Sequence, residues 1–210
     1  MDEDEHYMPR WGPMFSKGSL AKPDLATDVA IPLMAEGGWG ALTLRNMASV
    51  ANVTPQAIAA WFPSVAAMRV AIAERYGQRW IRQRGQVALQ RLVRAQVESV
   101  TPPQVALALL PETWLETVYD RVWLAVVEAG RWDAGVGSAV AAIEEQERDL
   151  VFHLMTSAET PERPDEDVEL ALALTRGVRI ARTAVHDPLK TARATAALRV
   201  AVSGGRRSLP

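Results

Sequence analysis

Cysteine is missing from all 210 residues, so disulfides, thiolate metal sites and cysteine nucleophiles are excluded. Aromatic residues are scarce at 6%, whereas apolar residues make up 49% of the chain. Ala, Val and Leu dominate that fraction, which suits packed helices better than a β-sandwich. No run of about 18 apolar residues exists for a membrane span. The acidic start, Met1 to Glu5, is the opposite of a basic signal-peptide leader. A soluble, cytoplasmic, all-α protein is expected. Histidine occurs only at His6, His153 and His186, and neither metal-ligand spacing nor a glycine-rich phosphate loop is present. No enzyme machinery, cofactor or metal site is therefore expected.

The net charge of -2 conceals an asymmetry. Residues 1–15 carry one basic and four acidic side chains (-3), residues 16–95 ten and four (+6), and residues 96–210 twelve and seventeen (-5). A polyanion responds to such local fields rather than to the total.

Residues 1–20 are polar, rich in Pro and Gly and without a helical stripe, and are expected to form a flexible arm. Leu25, Val29 and Leu33 then recur every four residues up to Gly37 and Gly38, a helix with its left-handed stop, and Pro32 is expected to kink it. Thr43 is a good N-cap for a short helix burying Leu44, Met47, Ala48 and Ala51. Asn52 supplies a left-handed turn and Val53 is expected to plug inward. Thr54 and Pro55 start a third short helix, with Ile58 and Phe62 on its buried side, ending near Pro63.

Ser64 caps a long fourth helix with Met68, Ile72, Tyr76 and Trp80 at steps of four, running to about Val97. Beyond Pro102 and Pro103 a short apolar piece, Val105 to Leu110, ends at Pro111. Two stripes follow: Leu115, Val118, Tyr119, Val122 and Val126, then Val136, Val140, Ile143, Leu150 and Leu154. Glu144, Glu145, Glu147 and Asp149 are expected on a solvated face. An acidic loop, Glu159 to Asp167, precedes two final helices, Val168–Val185 and Pro188–Val202.

The second and third helices form a helix-turn-helix, whose first helix spans the DNA backbone while the start of the second enters the major groove. Residues 25–72 closely resemble the DNA-binding region of TetR-family transcription regulators. The matching text is Leu25 to Gly38, Leu42-Thr43-Leu44-Arg45-Asn46-Met47-Ala48, Ala51-Asn52-Val53-Thr54 and Ala57-Ile58-Ala59-Ala60-Trp61-Phe62-Pro63-Ser64. Leu174 to Ile180 is similar to the start of that family's dimerisation helix.

The resemblance implies an arm (1–20), a helix-turn-helix domain (21–64), a helical ligand-binding and dimerisation domain (65–203) and a tail (204–210). It places Thr43 and Arg45 on phosphates, with Thr54, Gln56 and Trp61 facing operator DNA. Gln can read adenine, and Pro55, Ala59 and Ala60 can touch thymine methyls. For Thr43 and Thr54 plain capping is an equally compatible role, and for Trp61 packing against the first helix is the alternative. The chain departs from the family at Ala59, usually an aromatic residue, and at Val65, usually Lys, which removes two usual phosphate contacts.

By the same resemblance the protein is a homodimeric repressor released by a small-molecule effector. Trp114, Tyr119, Trp123, Trp132, Glu128 and His153 are candidates for the effector site, with core packing as the alternative. Leu170, Leu174, Val178, Ala181, Ala192 and Ala196 are candidates for the dimer interface. The rival reading is a TetR-like dimer that has lost operator binding and serves as a ligand-binding or protein-interaction module.

Overall fold

The computed structural model describes residues 22–96, 100–156 and 165–184, with 196, 197 and 200. The arm, the tail, most of the acidic loop and nearly all of the final helix, Ala192 included, lie outside the described residues. Among the described residues all regular structure is helical. The helices are α1 (Lys22–Gly37), α2 (Leu44–Ala51), α3 (Pro55–Ala59), α4 (Val65–Arg94), α5 (Pro102–Leu109), α6 (Trp114–Gly130), α7 (Ala134–Met155) and α8 (Asp165–Ala184), with a 3-10 turn at Trp39–Ala41.

Side-chain capping fixes where the helices begin. Thr43 Oγ1 accepts from Asn46 N, Thr54 Oγ1 from Ala57 N (3.2 Å each), and Ser64 Oγ from Ala67 N (3.0 Å). Each bond satisfies one of the amide groups that a helix start leaves without a partner. Gly38 leaves α1 at φ +64°, where its N–H reaches Met34 O. Pro32 lies within α1, and the helix continues through it. Pro102 and Pro103, which interrupt the apolar periodicity, form the first turn of α5, where a missing N–H costs nothing. Gln104 Oε1 accepts there from both the backbone and the hydroxyl of Thr101.

One apolar cluster joins α1, α2 and α3 to the body, running from Ala26, Met47 and Ile58 through Met68, Ile72, Tyr76 and Trp80 to Val126 and Ile143. A second, around Ala88, Val105, Val151 and Leu172, joins α4 and α5 to α7 and α8. Val53 is not the inward plug of the helix-turn-helix. It is 39% exposed, because left-handed Asn52 turns the chain outward and Met47, Leu42 and Ile58 already fill the centre.

Gly137 fixes how closely α6 and α7 meet. A Cβ there would stand 2.7 Å from the Gly130 carbonyl oxygen, a backbone atom with no side-chain rotation to relieve the clash. Gly to Ala normally stabilises a helix by about 1 kcal/mol. Gly137→Ala is instead expected to lower stability by about 1–3 kcal/mol, the usual overpacking range, measured by urea unfolding.

Candidate nucleic-acid interface and buried charge cluster

The helix-turn-helix presents Thr43, Arg45, Thr54, Pro55, Gln56, Ala59 and Ala60 to solvent. Trp61 is half-buried and packs against the main core, so part of its ring is engaged in holding the domain together. Arg69 of α4 donates to Leu42 O at 3.3 Å, pinning the turn that carries Thr43. The hydroxyls of Thr43 and Thr54 both cap their helices and remain exposed.

The electrostatics of this face differ from what the basic 16–95 segment suggests. Residues 22–64 hold two basic side chains, Lys22 and Arg45, and three acidic ones, Asp24, Asp28 and Glu36, a formal -1. Between Arg45 and Arg69 no charged side chain and no histidine occurs. The surplus of arginine sits on α4, and most of it is directed inward. Arg75 pairs with Asp24 at 2.5 Å and Arg79 with Asp28, tying α4 to α1. Arg84 pairs with Asp120 at 2.5 Å, and Arg91 pairs with Glu116 at 2.8 Å and Glu112 at 3.3 Å. Among the described cations of the α2–α3 face, Arg45 is exposed and has no protein partner.

At the far end of α4 the arginines surround a cavity. Arg84 donates to Leu109 O, and Arg91 donates to Ala108 O (2.9 Å) and Leu110 O (2.6 Å), so two guanidiniums cap the C-terminus of α5. Trp80, Arg84, Val87, Arg91, Glu116 and Tyr119 are among the residues lining a cavity of about 40 Å³. Such a volume holds a few waters but not a drug-sized molecule.

Behind the cavity lies a buried charge cluster. Asp120 accepts from Trp80 Nε1 at 3.0 Å and from Arg84. Arg179 Nη2 donates to Glu147 at 3.0 Å, and Arg179 Nε stands 3.3 Å from Asp120 Oδ2, an ion pair whose geometry falls short of a hydrogen bond. Arg176 adds two contacts to Glu147 at 3.2 Å. The guanidiniums of Arg84 and Arg179 lie 5.0 and 4.8 Å from the Trp80 ring centroid, and that ring stacks on Trp123 at 4.8 Å. Burial, then the charge of Arg179, lowers the Arg84 guanidinium to about 10, still protonated at neutral pH. Burial pushes the Glu147 carboxyl up, but Arg179, Arg84 and Arg176 outweigh it and hold the group below the ordinary range.

Glu147 is therefore not on a solvated face. Its position lies in phase with the apolar stripe of α7, four residues after Ile143, and so points inward. That phase was the available signal, and it applies equally to Arg179, four residues after buried Thr175.

The aromatic and polar candidates for an effector site are dispersed. Trp123 is core, Trp114 is 63% and Trp132 84% exposed, and Glu128 lies at the surface beside Arg131 and Trp132. Tyr119 lines the cavity, whereas His153 lies on an open groove between α4 and α7. Spacing along α6 did not bring these groups together because Trp114 and Trp132 flank the helix at its two ends.

On α8, Leu174 and Val178 pack against Ala106 and Leu110 within the same chain, and Ala181 is half-buried. Leu170 (48% exposed), Ala173, Gly177 and Ile180 (54%) share the open face. Among the described residues, no atom beyond the local backbone of α8 lies within 4 Å of where a Gly177 Cβ would be. Ala196 is exposed.

No protein-family model and no curated protein sequence matches the chain. Solved structures do. A transcriptional regulator from Rhodococcus sp. Rha1 aligns at TM-score 0.61 and 17% identity over 90% of this chain and 100% of that one. A Rhodococcus sp. protein assigned to the TetR family of transcriptional regulators aligns at 0.60 and 14% over 87% and 96%. The multidrug binding protein EbrR, complexed with imidazole, aligns at 0.58 and 18% over 86% and 94%. The chain thus has the all-helical fold of TetR-type transcriptional regulators. No described helix is long and apolar enough to cross a membrane.

Proposed function

We propose that the chain is a dimeric, DNA-binding transcription regulator of TetR type, a repressor released by a small molecule, with residues 21–64 as the reading domain. The observation that carries this reading is the run of ion pairs along α4. Its N-terminal half is bonded to α1 and the α2 turn through Arg69, Arg75 and Arg79. Its C-terminal half is bonded to α5 and α6 around the cavity through Arg84 and Arg91. An effector that enters this cavity and is larger than it has to part α4 from α5 and α6, and such a displacement is transmitted along α4 towards α1. A coupling of about 1–3 kcal/mol would change DNA affinity roughly 5- to 150-fold. A protein of this fold has been crystallised with a small ring, imidazole.

The dimer is formed through α8. Its open face places small Ala173 and Gly177 between Leu170 and Ile180, which permits close helix approach. Ile180→Glu is expected to convert the dimer to monomer without loss of helicity, read by light scattering and circular dichroism. A variant that stays dimeric would place the interface elsewhere.

A second reading, a dimer without operator binding, is favoured by the formal -1 of residues 22–64. A shift assay at low salt with duplex from beside the protein's own gene separates the two. Specific retardation that Arg45→Gln weakens supports the regulator, and none with folded dimer supports the second reading.

A further inference from the structure

The commonest specific protein contact to a base pair is a cation, usually arginine, forked onto guanine O6 and N7. This chain has no arginine or lysine to make it from the recognition segment, because no charged side chain occurs between Arg45 and Arg69. On α3 itself the exposed amide is Gln56, beside Pro55, Ala59 and the following Ala60, while the exposed Asn52 amide sits in the left-handed turn before the helix and the Thr54 hydroxyl caps its start. An amide pairs with adenine N6 and N7, and a methyl-sized side chain packs on the C5-methyl of thymine.

We infer that the operator half-site is read through A·T pairs, by thymine-methyl contacts of Ala59 and Ala60 and by Gln56 on an adenine, with no guanine recognised in the major groove. This rests on the DNA-binding reading above. Burying one methyl is worth about fourfold in affinity. Two alanines in each of two protomers make the methyl contribution readily measurable.

The test begins with duplexes enriched by the full-length protein from a random pool at low salt. In one arm, every thymine of both half-sites is replaced by deoxyuridine, which removes only the methyls. In the second, every guanine is replaced by 7-deazaguanine, which removes the major-groove N7 acceptor. Deoxyuridine is expected to weaken binding tenfold or more, and 7-deazaguanine less than threefold. The protein variant Ala59→Gly is expected to lose part of its sensitivity to deoxyuridine. A deoxyuridine loss below tenfold, a 7-deazaguanine loss above threefold, or an Ala59→Gly protein with undiminished sensitivity would each overturn the inference. Enrichment of no sequence would instead remove the DNA-binding premise, and the inference with it.

Discussion

Replacing Asp120 with alanine is expected to destabilise the fold by about 3–5 kcal/mol, the usual cost of stranding a buried charge. For a chain of this length that is a fall in melting temperature of roughly 6–20 °C. The size follows from what Asp120 holds. It accepts from the Trp80 indole and from Arg84, and it faces Arg179, and all four groups are buried or nearly so. Its removal leaves two guanidiniums in a space balanced by Glu147 alone. Removing the four charges together, as Arg84→Met, Asp120→Leu, Glu147→Leu and Arg179→Met, is expected to cost far less than the single change, because no buried charge is then left unpaired and Arg176, which loses Glu147, is partly exposed and keeps Glu144 at 3.9 Å. A quadruple variant as damaged as Asp120→Ala would show that shape rather than charge balance governs the site.

The same cluster sets an acid limit. Glu147 titrates below its unfolded value of about 4.3. Its contribution is present in full above that value and is lost as pH falls through the lower, folded one. Stability measured from pH 6 downward should therefore fall in this window, and less steeply in Glu147→Gln.

Ala59→Glu is expected to lower operator affinity at least a hundredfold while shifting the melting temperature little. Ala59 ends α3 and is exposed, so the fold tolerates the larger side chain. Bound to DNA, the dimer would bring two carboxylates against the duplex, and each like-charge juxtaposition costs several kcal/mol. With Arg45 as the free described cation of the face, little nearby charge exists to offset them. Fluorescence anisotropy with a labelled enriched duplex gives the affinity. An Ala59→Glu protein that binds like the parent would remove α3 from the interface.

Local signals were legible where a residue acts on its own backbone. Thr43, Thr54 and Ser64 cap the helices whose starts they mark, and Asn52 takes the left-handed turn. The stripe of Met68, Ile72, Tyr76 and Trp80 is buried throughout. Long-range pairing was not legible. The arginines of α4 read along the chain as a basic segment suited to DNA, but their partners Asp24, Asp28, Glu116 and Asp120 lie 25 to 51 residues away in sequence. Only packing reveals that these charges are paired within the chain, from Arg75–Asp24 at the surface to Arg84–Asp120 in the interior. For the same reason Arg84, Asp120, Glu147 and Arg179 carry no signal as a unit along the chain, and Trp114 and Trp132, conspicuous as large rings, are at the surface.

On the proposed function, a dimer with a nearly uncharged recognition segment binds specific DNA. Selecting duplexes from a random pool with the full-length protein at low salt tests it most directly. The expected result is an enriched palindrome whose half-sites lie one helical turn apart, about 34–36 Å, bound by wild type and rejected by Ala59→Glu. A folded dimer that enriches no sequence would contradict it.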